Sequence, residues 1–285
     1  MENQFSPTFE KLLSREEIIA SVIRNWTPER VIEQIPVTEA LGRIPSAKVC
    51  SVWTLPVVRS SAGDGIAVDS SRFAQGIPDT SGWIQGRDFV HADTGDDFDD
   101  AFDAVIMVED IAFSPEGRLT IRDGVQVYPG YNVRPAGSIV QKGEALVRAN
   151  LPLRPRDLAC LQMGGVGQIS VWKKPVVAFI PSGSELIAPG TPVTRGKNVD
   201  TNSLLVRETI KQLGAEPLCL PIVPDDYEPI LEALDSALIK ADIIILGGGS
   251  SKGAEDFSAT LLHQRGKVLC HGAQAGPGKP LCVAM

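Results

Sequence analysis

The last third of the chain alternates between continuous apolar runs and segments whose apolar residues recur at helical spacing. The runs predict strands at 176–180, 217–223, 242–246 and 267–270, and the periodic segments predict helices at 203–213, 227–240 and 254–264. Strands that alternate with helices of ten or more residues are typical of a parallel sheet covered on both faces. The sequence therefore predicts an α/β domain over residues 175–285.

The first half of the chain follows a different pattern. Ser14 and Glu17 form a capping-box motif before an apolar stripe, which predicts one amphipathic helix at the start. A strand, a short helix ended by Gly42 and a second strand are expected over 31–49. Short alternating segments at 83–84, 104–108, 119–121 and 125–127 predict strands. A helix at 156–163 and a further strand return the chain to a boundary at 173–175.

These elements predict a multi-domain α/β protein. The expected parts are a three-layer α/β domain with a parallel-type sheet, an inserted β-rich module and an elongated N-terminal linker domain. In residue numbers, the linker is 1–52 completed by 140–174, the β-rich module is 53–139 and the α/β domain is 175–285.

Composition excludes several classes of partner. A net charge of −8 disfavours binding to nucleic acid or to an anionic membrane, since both require a basic surface. No apolar run reaches eighteen residues and no basic region precedes an apolar segment, so we expect a soluble cytoplasmic protein. The five cysteines are widely spaced and the three histidines are not at ligand spacing, which predicts reduced thiols and no zinc or iron centre.

The apolar run at 242–246 ends in three glycines, and the predicted helix follows soon after. Glycines let backbone N–H groups approach a ligand, and a helix N-terminus favours an anion. Ser250 and Ser251 add hydroxyl donors, and Gly253 precedes the helix. The pattern is neither a Walker A loop nor a dinucleotide motif. Either another anionic ligand binds here, or the glycines only allow a tight turn.

The other predicted strands end in polar loops. These loops are 181–185, 225–226 and 276–280, and the glycine loop continues to Asp256. Parallel strands would bring all four loops to one edge of the sheet, where ligands of such folds bind. Each acid alone also fits a helix cap. In the β-rich module, Asp64-Gly65 reads as a hairpin turn. The acidic run 93–100 reads as a solvated loop, because it lacks the spacing of a calcium loop.

The chain resembles the MoeA family of molybdopterin molybdenumtransferases, which includes the E domain of gephyrin. The resemblance rests on six motifs in order, with Glu39–Arg43 as a further marker: Ser61–Val68, Ser182–Leu186, Asp200–Asn202, Asp225–Asp226, Gly248–Asp256 and Pro277–Pro280. It runs from about Ser14 to Met285. The family pattern continues beyond Pro280 into a further domain, so we expect the α/β domain to be C-terminally short.

The resemblance implies a late step of molybdenum cofactor synthesis. Adenylylated molybdopterin and molybdate would be the substrates, AMP would be released, and a divalent cation such as Mg²⁺ would assist. The family forms homodimers in which the β module of one subunit faces the α/β domain of the other. The implied site acids are Asp64, Glu185, Asp225 and Asp256. The implied cofactor-binding residues are Thr94, Arg134, Ser182, Gly183, Asp200, Asn202, Gly248, Gly249, Ser250, Ser251, Gly253, Pro277, Gly278 and Lys279.

The chain departs from the family pattern in one motif, where Thr-Gly-Asp-Glu has become Ser182-Gly-Ser184-Glu185, and at three further positions. Ile139 stands where the family has an aspartate, and Gly272 and Gly276 stand where it has lysines. Losing cations from an oxyanion site weakens it, since each charge-assisted hydrogen bond contributes roughly 1.5–3 kcal/mol. Three hypotheses stay open: molybdate insertion, binding of molybdopterin or finished cofactor without turnover, and a structural paralogue that dimerises with a full-length relative.

Overall fold

In the computed structural model, which describes residues 12–248 and 257–285, the chain folds into two compact units. One unit comprises residues 33–171 and is called the β unit. The other comprises the described parts of 1–32 and 172–285 and is called the α/β unit. The multi-domain α/β fold predicted from the sequence is confirmed.

The described residues form five α-helices and eighteen short strands. The helices are α1 (Arg15–Asn25), α2 (Pro155–Met163), α3 (Asn202–Gln212), α4 (Tyr227–Leu238) and α5 (Phe257–Arg265). The strands are β1 (Ile32–Pro36), β2 (Val49–Cys50), β3 (Ser60–Ser61), β4 (Gly65–Val68), β5 (Phe89–Ala92), β6 (Ala104–Met107), β7 (Ile111–Phe113), β8 (Leu119–Ile121), β9 (Val133–Arg134), β10 (Ala145–Val147), β11 (Gln168–Trp172), β12 (Val176–Pro181), β13 (Leu186–Ile187), β14 (Asn198–Val199), β15 (Glu216–Cys219), β16 (Ile243–Gly247), β17 (Val268–His271) and β18 (Cys282–Ala284). None of the described helices is long and apolar enough to cross a membrane.

The N-terminal helix begins where the sequence predicts it. The Ser14 hydroxyl accepts from the backbone N–H of Glu17, and the Glu17 carboxylate accepts from the backbone N–H of Ser14. This reciprocal pair satisfies two N–H groups that the first turn leaves without helical partners. Ile18 then packs with Cys270 and Ala273, so α1 lies against β17 in the α/β unit.

The β unit is built around β4, which pairs antiparallel with β5 on one side and β6 on the other. The hairpin reading of Asp64-Gly65 is therefore wrong: Gly65 begins a central strand, because β3 pairs with β9 instead of with β4. The strands predicted at 83–84 and 125–127 are also wrong. Trp83, Val125 and Val127 lie in irregular segments that pack on the buried core of this sheet.

A second hydrophobic cluster of the β unit joins the pairs β1–β11 and β2–β10 to α2, with Leu161 and Val171 at its centre. It is separate from the two clusters formed by residues 66–133. The predicted three-part division, with its linker completed by 140–174, remains a proposal; separate clusters support it.

The α/β unit contains a parallel sheet in the order β15–β12–β16. Ala178 and Ile180 of β12 pack with α4 and Leu261 of α5, and α3 packs against β15 and β12. Cover on both faces is incomplete at the edge strand β16, where Ile243 and Ile245 stay 38% and 39% exposed.

The fourth strand of the predicted parallel sheet is the main correction. Strand β17 pairs antiparallel with β18 in a separate two-stranded sheet. The apolar pattern of a strand does not reveal which strand it pairs with. The apolar run at 267–270 is equally compatible with a hairpin. Three strand ends, rather than four, therefore share the edge at which the sequence places the site.

Candidate active site

The first group of candidate residues lies at the start of β4. Thr94 donates to Oδ1 of Asp64 from its backbone N, at 2.7 Å, and from its hydroxyl, at 2.8 Å. These bonds lower the pKa of the Asp64 carboxyl, the hydroxyl contributing most, because both favour the charged form. Asp64 is therefore a carboxylate at neutral pH, suited to accept a proton or to bind a cation.

Arg134 belongs to the same region of the β unit. It pairs with Ser60 in the β3–β9 ladder, and its Nη2 donates to the carbonyl of Ala62 at 3.3 Å. The loop that carries Thr94 is tied to β3, since the Gly95 N–H donates to the carbonyl of Ser61 at 3.0 Å. The fold thus brings Asp64 and Thr94, both predicted from the sequence, into contact and places Arg134, also predicted, on β9 beside the same loops.

The second group lies at the carboxyl ends of β12, β15 and β16. The N–H of Ser182 donates to the carbonyl of Gly247 at 2.7 Å, and the N–H of Gly183 donates to that of Val223 at 3.1 Å. Asp225 is tied to the same turn, because its N–H donates to the hydroxyl of Ser184 at 3.2 Å. Parallel pairing therefore places three strand ends at one edge, as ligand sites of open α/β sheets require.

Two glycines of this edge leave no space for a side chain. A Cβ at Gly248 would lie 2.1 Å from the carbonyl oxygen of Ser182, and the φ of Gly248 is +117°, which disfavours any other residue. A Cβ at Gly183 would lie 2.7 Å from Oε2 of Glu185. The Glu185 carboxylate thus lies against the Gly183 backbone.

Two oxygen atoms at this edge are buried without a partner. The side chain of Ser182, which is 3% exposed, has a hydroxyl with no hydrogen-bond partner within the described part of the chain. Oδ1 of Asp225 is in the same state. Leaving a buried polar group unsatisfied costs about 1–3 kcal/mol, so these two oxygens are candidates for contact with a ligand or an ion.

Other candidates form local contacts within their own segments. Asp200 accepts from the backbone N–H of Ser203 at 3.0 Å and from its hydroxyl, so its carboxylate caps α3, at which Asn202 is the first residue. Pro277, Gly278 and Lys279 lie in the β17–β18 connection, where the Ala273 N–H donates to the carbonyl of Lys279. Five candidates lie outside the described residues: Gly249, Ser250, Ser251, Gly253 and Asp256.

Two polar residues add to this edge: Ser184 belongs to the Ser182–Leu186 motif, whereas Lys197 lies outside every motif of the family resemblance. Ser184 orients Asp225, as described, and Lys197 donates from Nζ to the carbonyl of Ser184 at 2.7 Å. Lys197 reaches the turn because β13 and β14 pair in parallel, Leu186 with Asn198. Two-residue strands carry no periodicity, so only the structure could identify this neighbour.

The fold and these two groups of residues define a multi-domain α/β protein with polar side chains gathered at the carboxyl edge of its parallel sheet, and comparisons with known proteins specify the family. Residues 13–165 match the MoeA N-terminal region (domain I and II). Residues 178–285 match the family described as "Probable molybdopterin binding domain". The chain belongs to the MoeA family.

Curated relatives and solved structures agree. The molybdopterin molybdenumtransferase of Haemophilus influenzae is 28% identical over 272 residues, which cover 88% of this chain and 67% of that protein. The enzyme of the same name from Nostoc is 35% identical over 157 residues, which cover 55% of this chain and 36% of the relative. The crystal structure of the molybdopterin biosynthesis MoeA protein from Pyrococcus horikoshii OT3 matches with a TM-score of 0.74 and 26% identity, covering 96% of this chain and 72% of that one.

Proposed function

We propose that this chain acts in molybdenum cofactor biosynthesis as a molybdopterin molybdenumtransferase, which inserts molybdate into adenylylated molybdopterin and releases AMP. The names of its curated relatives support the activity. Two buried oxygens at the carboxyl edge of the parallel sheet carry the proposal: Ser182 Oγ and Asp225 Oδ1 have no hydrogen-bond partner among the described residues. A hydroxyl donor beside a carboxylate suits a phosphorylated ligand that also offers N–H donors or a bound cation.

Each residue of this edge has a role in the proposal. The Ser182 hydroxyl donates to an anionic oxygen of the pterin phosphate, and Gly248 keeps Ser182 in position because it leaves room for the Ser182 carbonyl. Asp225 accepts from a ligand N–H or holds a cation. Ser184 keeps Asp225 in place through its backbone N–H.

Magnesium is part of the proposal. Among residues 12–248 and 257–285, no group of three or more acidic, histidine or cysteine side chains is arranged to hold a metal ion. Mg²⁺ fits nevertheless, because it binds proteins through one or two carboxylates and completes its shell with water and substrate phosphates. Asp225, with its buried unpartnered oxygen, and Glu185 are the residues that would hold it. When bound, it would neutralise charge on the pyrophosphate group.

The residues of the β unit contribute a second set of groups. Asp64, kept ionised by Thr94, can accept a proton or bind a cation, and the Arg134 guanidinium can bind an oxyanion. Asp256 and the serines at 250 and 251 keep their proposed roles from the family resemblance alone.

The activity is tested with the purified chain, adenylylated molybdopterin, Mg²⁺ and molybdate. Release of AMP that depends on molybdate is expected, and Asp225→Asn should reduce its rate by at least tenfold. If the wild-type chain binds the pterin but releases no AMP, a non-catalytic binding protein is supported instead. If the chain neither binds the pterin nor releases AMP, both functions are overturned.

The non-catalytic alternative is favoured by one observation. Ile139, at the position where the family has an aspartate, is 50% exposed and lies beside the 55–56 segment, its N–H donating to the carbonyl of Leu55. An exposed isoleucine provides neither charge nor hydrogen bonds. Ile139→Asp therefore distinguishes the alternatives, because it should increase AMP release only if the remaining machinery is catalytic.

The assembly of the family is proposed for this chain as well. A homodimer would double the mass measured by light scattering during size-exclusion chromatography. A single-chain mass at micromolar concentration would contradict it.

A further inference from the structure

We propose that Lys197 is a ligand-binding residue that holds a tetrahedral oxyanion, phosphate or molybdate, at the carboxyl edge of the parallel sheet. This proposal deepens the proposed function and rests on it. The residue lies in none of the motifs that carry the family resemblance, and its side chain reaches the site only through the fold.

The position of the ammonium group is the first argument. Nζ of Lys197 donates to the carbonyl of Ser184 at 2.7 Å, and Ser184 lies between the buried Ser182 and Glu185 in the turn that follows β12. The hydroxyl of Ser184 contacts the N–H of Asp225. The cation therefore binds the residue that directly precedes Glu185 and lies two positions after Ser182.

The second argument is the remaining bonding capacity of Lys197. An ammonium group has three donors, and the Ser184 carbonyl uses one of them. Lys197 forms no ion pair with any residue in the described part of the chain, and its side chain is exposed. Two donors and a full positive charge thus remain for a ligand.

The third argument is the charge of the surrounding residues. Glu185 and Asp225 make this edge acidic, whereas an oxyanion needs a cation beside it. The positions at which the family resemblance implies lysines are Gly272 and Gly276 here. Gly272 donates its N–H to the carbonyl of Leu281, within the β17–β18 hairpin. Lys197 provides a cation from a different part of the chain, directly before β14.

The test compares three substitutions by isothermal titration. Lys197→Met removes the charge and the donors, Lys197→Gln keeps an N–H donor for the Ser184 carbonyl without charge, and Lys197→Arg keeps both. Lys240→Met is the matched control, because it changes net charge equally but lies after α4, at the opposite end of the sheet. Molybdate alone and adenylylated molybdopterin without molybdate are titrated separately.

Lys197→Met and Lys197→Gln should each weaken binding by roughly 10- to 150-fold, the equivalent of one charge-assisted hydrogen bond. Lys197→Arg should retain most of the affinity, and Lys240→Met should match the wild type. The salt dependence of affinity should also be shallower in both neutral variants, which a purely structural role would not produce. The ligand whose affinity falls identifies the bound oxyanion as phosphate or molybdate.

Wild-type affinity in Lys197→Gln for both ligands would overturn the proposal and leave the proposed function intact, since Lys197 would then only support the turn. Failure of the wild-type chain to bind either ligand would overturn both. Thermal unfolding of each variant checks folding. If Lys197→Met does not fold, Lys197→Gln and Lys197→Arg still decide the question, because both keep a donor for the Ser184 carbonyl.

Discussion

Thr94 donates two hydrogen bonds to a single oxygen of Asp64, one from its backbone N–H and one from its hydroxyl. The two residues are thirty positions apart in the sequence and lie on different loops of the β unit. Because one hydroxyl supplies the largest part of the effect on the Asp64 pKa, the contribution of that bond can be measured by removing it alone.

Thr94→Val should raise the pKa of Asp64 toward its ordinary value of 3.8 while the backbone bond remains. Valine keeps the shape of threonine and removes only the hydroxyl. The Asp64 carboxyl carbon can be followed by NMR during an acid titration. Thr120→Val is the control, since Thr120 is an exposed strand residue of β8. An unchanged Asp64 titration in Thr94→Val would show that the hydroxyl does not contact the carboxylate in solution.

Gly65→Ala should destabilise the β unit because a Cβ at this position would lie 2.0 Å from the carbonyl oxygen of Ile106. Strand β4 would have to move away from β6, and such overpacking costs about 1–3 kcal/mol. Urea unfolding followed by tryptophan fluorescence measures the loss. Gly82→Ala is the matched control, since nothing lies within 4 Å of a Cβ there. Equal stability of the two variants would contradict the close packing of Gly65 in β4 against Ile106 in β6.

The helices and strands of the α/β unit could be predicted from the sequence because their apolar patterns extend over many residues. The helices at 202–212 and 227–238 lie within a few residues of their predicted bounds, as do strands β12 and β16. The strands of the β unit are harder to predict from the sequence. Strands of two to four residues carry too little alternation, so the sequence does not predict β5 and predicts strands at two irregular segments.

The site was predictable as far as motifs extend and no further. The motifs placed Asp64, Ser182 and Asp225 at loops, but a residue type at a loop cannot reveal what its side chain contacts. Asp200 illustrates this limit: its motif implies a ligand contact, which stays a prediction, and only the structure shows that its carboxylate accepts from Ser203 in the first turn of α3. Lys197 is the converse case, since its position depends on a pairing between two strands of two residues each.

Asp88 should contribute to stability in a pH-dependent manner. The residue is 5% exposed. Its carboxylate accepts hydrogen bonds from the guanidinium of Arg87 at 2.7 Å, from that of Arg72 at 2.6 Å and from the backbone N–H of Ile84 at 2.9 Å. These bonds, with Arg87 first, hold the pKa of Asp88 well below its ordinary value of 3.8. A depressed carboxyl pKa stabilises the native state above the unfolded pKa, and this stabilisation is lost as the pH falls.

Asp88→Asn should therefore lower the thermal midpoint at pH 7, and the gap to the wild type should narrow as the pH falls below about 4. Calorimetry between pH 7 and pH 3 measures both effects. Asp123→Asn, at an exposed turn position, removes the same charge without these partners. A gap that stays constant with pH would mean that Asp88 stabilises the fold without its charge.

Gly248→Ala should weaken ligand binding strongly, beyond what its effect on the stability of the fold explains. The substitution combines a φ of +117° with a Cβ placed 2.1 Å from the Ser182 carbonyl oxygen, so the Ser182 turn must shift. Gly214→Ala is the matched control, because its φ of +83° carries backbone strain of about 1–2 kcal/mol but its Cβ meets nothing within 4 Å. Titration with adenylylated molybdopterin and thermal unfolding separate the two effects. We expect at least tenfold weaker binding in Gly248→Ala and unchanged affinity in Gly214→Ala, because only the first moves the buried hydroxyl of Ser182. Equal affinities in the two variants would remove Ser182 from the ligand site.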